Sequence, residues 1–204
     1  TQLRLHDLTG FDGSCDAILL TTDGSLVPPD DASSQDVFRS GINGTRLEPR
    51  DAGEYDMVVV GAGVAGMSAA VAAARLGLRV ALIGDRPVAG GNNSSEVRVH
   101  MGGRLGVGPY PQLGQLQQEF APCREGNAQP AAYYEDQKKM QWLQQEHGVS
   151  LFMGVHADGV TMDGTRIESI TARNVLSGEC RCVSYISPSP RDGLLLCTPS
   201  SVGR

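Results

Sequence analysis

The sequence predicts an α/β fold in which a strand, a glycine-rich turn, a helix and a second strand are followed by a β-meander. Three observations predict it. Met57 to Val60 is a short apolar run that leads into Gly61, Gly63 and Gly66. Met67 to Leu76 is alanine-rich and reads as a helix, and Arg79 to Ile83 is a second buried strand. Beyond Gly148, alternating runs are separated by the turns Asp163-Gly164 and Ser177-Gly178, the pattern of a meander.

The order strand, G-x-G-x-x-G, helix, strand is the context in which three glycines point to dinucleotide binding. Gly61 permits the tight turn, Gly63 lets backbone approach a pyrophosphate, and Gly66 lets the helix pack closely on the strand. Val64, Ala65 and Gly66 open the helix, so their N–H groups and the positive dipole end face the phosphates. Ala70 and Gly77 continue the series of small residues and predict a close approach of helix and sheet. The alternative, a glycine-rich turn that binds no nucleotide, is disfavoured by the ordered context.

The preceding residues are read as a partial β segment. Over 1–26, short apolar bursts (Leu3, Leu5, Ile18 to Leu20) are broken by Gly10 and Asp12-Gly13 and suggest the end of a preceding β-module. Residues 27–54, with Pro28-Pro29, Asp30-Asp31 and Ser33-Ser34, have a linker composition. The main domain spans 55–186. Within it, Gly84 to Gly108 is a glycine- and asparagine-rich stretch. Helices are expected over Gln112 to Phe120 and Tyr133 to His147, the latter closed by Gly148 at its C′ position. Strands are expected at Val149 to Val155, Val160 to Met162, Arg166 to Val175 and Cys180 to Ile186. The last segment, 187–204, carries Pro188, Pro190 and Pro199 and no periodicity, which predicts loop or disorder that adds nothing to the fold.

The chain has 204 residues and a formal net charge of −6, with no basic stripe, which argues against nucleic acid as the main partner. No apolar run approaches the roughly 18 residues that predict a transmembrane helix. Cys15, Cys123, Cys180, Cys182 and Cys197 are an odd, scattered set and not a disulfide framework. Cys180 and Cys182 face the same way on a strand but lack the second pair that a metal site needs, so no metal ligands are expected.

Three stretches together resemble a known family: Tyr55 to Gly77; Arg86-Pro87-Val88-Ala89-Gly90-Gly91-Asn92-Asn93-Ser94-Ser95-Glu96-Val97-Arg98; and the meander from Gly148 to Val175. They resemble the FAD-dependent oxidoreductases of the two-dinucleotide-binding superfamily, and within it a group related to the flavin subunit of heterodisulfide reductase. The resemblance covers about 55 to 180, and its second stretch is the more specific. Leu5 to Phe11 also resembles a module that precedes the flavin domain in some larger members.

The resemblance implies a Rossmann-like FAD-binding sheet and FAD as cofactor. Gly61, Gly63 and Gly66 would hold the pyrophosphate, together with Val64 and Ala65. Gly90, Gly91 and Asn92 would run along the flavin side, and Ala157 matches a position whose backbone contacts adenine. The family commonly has an acidic residue directly after the second strand, for the ribose; here Gly84 stands there and Asp85 follows. Asp85 either reaches the ribose or is a solvated turn residue. Arg86, next to it, is counted with the cofactor-binding set. The related family allows an iron–sulfur cluster, for which this sequence has no visible ligand set. A later Gly-Asp segment that completes the flavin site in such enzymes is not found, and Asp192-Gly193 does not follow a suitable strand. The chain therefore reads as the N-terminal, FAD-binding portion of an oxidoreductase, with a small-molecule substrate, further domains in a longer parent chain, and weak or no FAD binding by itself. The alternatives are a non-catalytic nucleotide-binding fragment and an NAD-dependent Rossmann dehydrogenase.

The catalytic residues are not identified by the sequence. His100 is either a proton-transfer group beside the flavin or a loop histidine contacting backbone. Arg98 either binds phosphate or reduced flavin, or pairs with Glu96. Cys123, beside Arg124, has no partner cysteine close in sequence. Glu135-Asp136 with Lys138-Lys139 reads as a solvated helix start with local charge pairing.

Overall fold

The computed structural model describes residues 18–44, 48–102, 108–109, 111–120 and 126–185. Two compact units are present, residues 1–38 and 39–204. In the described part of the first unit, 18–26 forms no strand, and Ile18 and Leu20 are exposed. Among the described residues no strand pairs with this triplet. The other expected strands of this segment, around Leu3 and Leu5, lie outside the described residues, as does the segment 187–204. The stretch with linker composition is not all loop. It holds helix α1, Ala32–Asn43, and strand β1, Arg50–Tyr55. The carboxylate of Asp31 accepts the Ser34 N–H at 2.9 Å at the start of α1.

The second unit is built in three layers. Strands β2 (Met57–Val60), β3 (Val80–Gly84) and β4 (Val149–Met153) form a parallel sheet with β3 in the centre. Helix α2 (Val64–Arg75) connects β2 to β3, and α3 (Leu113–Phe120) and α4 (Asp136–Gln145) precede β4. Strands β5 (Val155–Asp163), β6 (Arg166–Asn174) and β7 (Cys180–Tyr185) make the meander. Strand β1 pairs with β7 in parallel, giving the order β1-β7-β6-β5. The period-two alternation of strand side chains explains the layering. Val59, Val80 and Leu82 face the helices and pack with Met67, Ala70, Val71, Phe120 and Leu143. Val58, Ala81 and Ile83 face the other way and pack with Val155, Ile170, Ala172 and Val183 of the meander. A parallel sheet buried on both faces reads as a continuous apolar run, as Met57–Val60 does. The parallel sheet with its crossover helix is Rossmann-like.

Arg75 ties the helical layer together. Its guanidinium donates to both carboxylate oxygens of Glu119 at 2.9 and 2.7 Å and also pairs with Glu146, while the Trp142 indole donates to Glu119 at 2.9 Å. Arg75 first, and Trp142 second, hold the Glu119 carboxyl down to about 2.

Three expected elements and one glycine take a different form. The run Val149–Val155 is two strands of two sheets, because Gly154 adopts φ 67° between them and turns the chain. The meander strand expected over Val160–Met162 therefore begins at Val155. The helix expected over Tyr133–His147 is a 3₁₀ turn, Ala131–Tyr134, then Glu135 in the left-handed region (φ 50°), then α4. It stops at Gln145, with Glu146 extended, so Gly148 (φ 93°) lies two residues past the cap. Gly77 is not a packing residue: a Cβ there would meet nothing within 4 Å. It is the C′ glycine of α2 at φ 92°, with Gly77 N donating to Ala74 O at 2.9 Å and Leu78 N to Ala73 O at 3.2 Å, a Schellman pattern.

Candidate functional site

Because β2, β3 and β4 are parallel, their carboxyl ends lie on one edge of the sheet, and ligands of such sheets bind outside that edge. The glycine turn follows β2 there. Gly61 adopts φ 107° and donates its N–H to Ile83 O at 2.7 Å. At Gly66 a Cβ would lie 1.9 Å from Gly61 O, so helix and turn touch without space for a side chain. Gly63 caps α2 and no side chain caps the helix with it. An added Cβ at Gly63 meets only Gly91 Cα, at 3.9 Å. The protein itself would therefore admit a side chain at Gly63, at the mouth of a helix whose first N–H groups have no intrahelical partner. Val64 is half-buried and Ala65 exposed at that mouth.

The second glycine pair is brought against the first. Gly90 N donates to Ala62 O at 2.8 Å, and Gly63 and Gly90 form an isolated parallel bridge. A Cβ on Gly91, at φ 58°, would lie 3.0 Å from Gly63 Cα, so this contact needs bare backbone on the Gly91 side. Buried Ser94 donates its hydroxyl to Gly91 O at 2.7 Å, and Val99 N donates to Asn92 O at 3.0 Å. Asn92 itself is exposed.

Gly84 ends β3, and the structure explains why no acid stands there. A Cβ would meet Ala62 Cβ at 2.8 Å and the Met153 Sδ and Cε at 3.2 Å. Asp85 and Arg86 follow, both exposed. Arg86 O accepts the Gly154 N–H at 3.1 Å, which ties this turn to the start of β5. Ala157 sits in a different layer from the glycine loops. It lies on β5, pairs with Ala172 and packs into the cluster between the sheets.

Sequence reading missed what lies beneath the second loop. Lys139 is not solvated: its side chain is 0% exposed. Its ammonium donates to Asn93 O at 2.7 Å and to Tyr134 O, and lies 3.9 Å from Asp136 Oδ1. Burial pushes its pKa below the ordinary lysine range, against the opposing pull of Asp136. Asp136 accepts the Ser95 N–H with both oxygens, at 3.1 and 3.2 Å. The left-handed turn at Glu135 separates Tyr134 from α4. The expected local charge pairing is present for both lysines, Lys138 with Glu135 at 4.0 Å and Lys139 with Asp136, but only Lys138 is solvated. Lys138 and Lys139 carry the same chemistry, and no local signal separates them.

The expected pair of Arg98 with Glu96 is not formed either. Glu96 faces Arg86 at 3.6 Å, while Arg98, at φ 63°, donates Nε to Ser95 O at 2.9 Å. The Arg98 carbonyl accepts the Tyr134 hydroxyl at 2.6 Å and the Ala128 N–H at 2.8 Å. Among the described residues His100 is held by the Asn127 side chain. Asn127 Oδ1 accepts its N–H at 2.9 Å and lies 2.6 Å from Nδ1. An amide oxygen only accepts, so Nδ1 carries the proton. Cys123 lies outside the described residues. Cys180 is a buried free thiol and Cys182 a half-buried one. Among the described residues no three His, Cys, Asp or Glu side chains cluster as a metal site would require, and no helix is long and apolar enough to cross a membrane.

Comparison with known proteins adds the following. No curated protein matches the chain. Among solved structures it is similar to THI4 of Thermovibrio ammonificans, at 19% identity and a TM-score of 0.47, over 65% of this chain and 55% of that one. It is also similar to the 3-ketosteroid-delta4-(5alpha)-dehydrogenase of Rhodococcus jostii, at 16% identity and a TM-score of 0.45, over 74% of this chain and 48% of that one. A third is the E. coli quinol fumarate reductase FrdA, at 15% identity and a TM-score of 0.45, over 67% of this chain and 32% of that one. The chain thus spans about half the length, or less, of these structures. The family model described as FAD dependent oxidoreductase matches residues 56–186, and with most of the chain inside that match, the protein belongs to the FAD-dependent oxidoreductase family.

Proposed function

We propose that this chain carries the FAD-binding part of an oxidoreductase acting on a small molecule, related to the flavin subunit of heterodisulfide reductase. The observation that supports it most is the backbone contact of Gly63 with Gly90 and Gly91 at the uncapped N-terminus of α2. The residues fit the cofactor: an anion at this mouth would meet N–H groups and no carboxylate side chain from Gly61 to Gly66. Gly61, Gly63, Val64, Ala65 and Gly66 would hold the pyrophosphate. Gly90, Gly91 and Asn92 would line the flavin side. Asp85 and Arg86, exposed at the end of β3, are the groups available for the ribose. Ala157 would contribute backbone from the start of the meander.

When bound, FAD supplies hydride or electron transfer. The chain's own part is to bind, orient and exclude water. The turn at Gly61 and the dipole end of α2 fix the phosphates, and Ser94, through Gly91 O, holds the second loop in place. The His100 ring is oriented by its contact with Asn127 Oδ1.

Titrating FAD and, separately, NAD into the 204-residue chain tests the reading. Weak, saturable quenching of flavin fluorescence, with weaker or no NAD binding, is expected of this chain. Binding of NAD in preference to FAD would replace the reading with a nicotinamide-dependent one. Binding of neither would leave a fold without nucleotide function.

A further inference from the structure

We propose that Lys139 and Asp136 are positioning residues that clamp the loop Gly90 to Ser95 from beneath and press it against the N-terminus of α2. This rests on the reading of that loop as a cofactor loop. The two side chains grip opposite polarities of one loop. The Lys139 ammonium takes a carbonyl, Asn93 O at 2.7 Å, and the Asp136 carboxylate takes an amide, Ser95 N at 3.1 Å. Both come from the first turn of α4, and the left-handed residue Glu135 lets Tyr134 O reach the same ammonium.

The lysine stem also shapes the loop. A Cβ on Gly90 would come within 3.1 Å of Lys139 Cδ and 2.5 Å of Asn93 O. Gly90 therefore lies directly on the buried stem, and its neighbour Gly91 lies on Gly63. The contact runs from Lys139 through Gly90 and Gly91 to the mouth of α2. A lysine buried for fold stability alone is a poor choice, because an apolar residue of the same length would pack there without desolvating a charge. Its two carbonyl partners belong to the loop and to the turn before α4, which is what a clamp requires. The charged groups facing it are Asp136 at 3.9 Å, with Glu135 favouring and Lys138 opposing its charge.

The test is amide hydrogen exchange on the unliganded chain, compared among wild type, Lys139→Met and Asp136→Ala. Loss of one buried hydrogen bond of the clamp should speed exchange by about tenfold at Gly90, Asn93, Ser95 and Val99. The amides of Ala81, Leu82 and Ile83 in β3 should stay as slow as in wild type. Asp136→Asn, which keeps one acceptor oxygen, should retain most of the protection at Ser95. Loop exchange as slow as in wild type in both variants overturns the inference. Equal acceleration of loop and β3 assigns the pair to general stability and overturns it as well. If Lys139→Met does not fold, the Asp136→Ala and Asp136→Asn pair decides by the same criterion. FAD titration of the same variants should show affinity reduced about tenfold for Lys139→Met. A loosened loop with unchanged FAD affinity would overturn the link to the cofactor. Failure of the wild-type chain to bind FAD would instead defeat the reading under Proposed function, with the exchange result still deciding whether the clamp exists.

Discussion

Gly63 and Gly66 are three residues apart in one motif and stand in opposite surroundings. Gly66 has backbone 1.9 Å from where its Cβ would be, whereas Gly63 has open space except for Gly91 Cα at 3.9 Å. The two should therefore fail differently. Gly66→Ala forces the helix off the turn and should cost about 3 kcal/mol of stability, seen as a lower urea midpoint. Gly63→Val should keep the melting temperature within about 5 °C of wild type. Its FAD affinity should fall tenfold or more. A Gly63→Val protein that titrates like wild type would remove the pyrophosphate assignment. Both glycines were legible in the sequence because turn chemistry is local: a tight turn and a close helix demand small residues at set offsets. Lys139 was not legible. A lysine beside another lysine at a helix start has an ordinary solvated reading, and only the arrival of Asn93 from 46 residues away buries it. Gly84 was read as a departure from the family pattern, and its reason, the side chains of Ala62 and Met153, is likewise tertiary.

Among the elements, the helical layer depends on one carboxylate shared between an arginine and an indole. Glu119 is held well below its ordinary value of 4.5, down to about 2, by Arg75 and Trp142. Its folded-state pKa is depressed, so its stabilising share is fully present above pH 4.5 and is lost as the pH falls through about 2. The Arg75 and Glu119 side chains are 41% and 38% exposed, so water screens much of the attraction. Glu119→Gln should lower the unfolding free energy at pH 7 by only about 1 kcal/mol. It should also flatten the decline of stability between pH 4.5 and 2, measured by urea unfolding across that range. Element reading from sequence succeeded where the apolar run was long or the breaker strong, as in α2 and β3. It missed β1, whose residues Arg-Asp-Ala-Gly-Glu-Tyr carry no strand pattern. Pairing with β7 makes that segment a strand, which is tertiary context overriding propensity. Gly154 was hidden inside an apolar run, so two strands of two sheets read as one.

In the whole molecule, the central sheet serves two cores at once. Ile83 shows this most clearly, buried between the parallel sheet and the meander while Leu82 beside it is buried under the helices. Ile83→Ala should cost about 2–5 kcal/mol by opening a cavity between the sheets. If the layers fold as one unit, the loss should appear as a single transition by both far-ultraviolet circular dichroism and Trp142 fluorescence. Two separated transitions would show that meander and helical layer unfold independently.

The pairing of β1 with β7 has a consequence for where this protein can be cut. The family match begins at residue 56, one residue after β1 ends. A chain begun there would keep every glycine of the site and lose the outer neighbour of β7. That strand would then show a row of open N–H and C=O groups, a template on which another copy can add. A protein begun at Asp56 should therefore self-associate in light scattering under conditions where one begun before Arg50 stays dispersed. Equal behaviour of the two would mean that β1 protects nothing. Domain limits drawn from sequence likeness and limits drawn from hydrogen bonding differ here by a single strand.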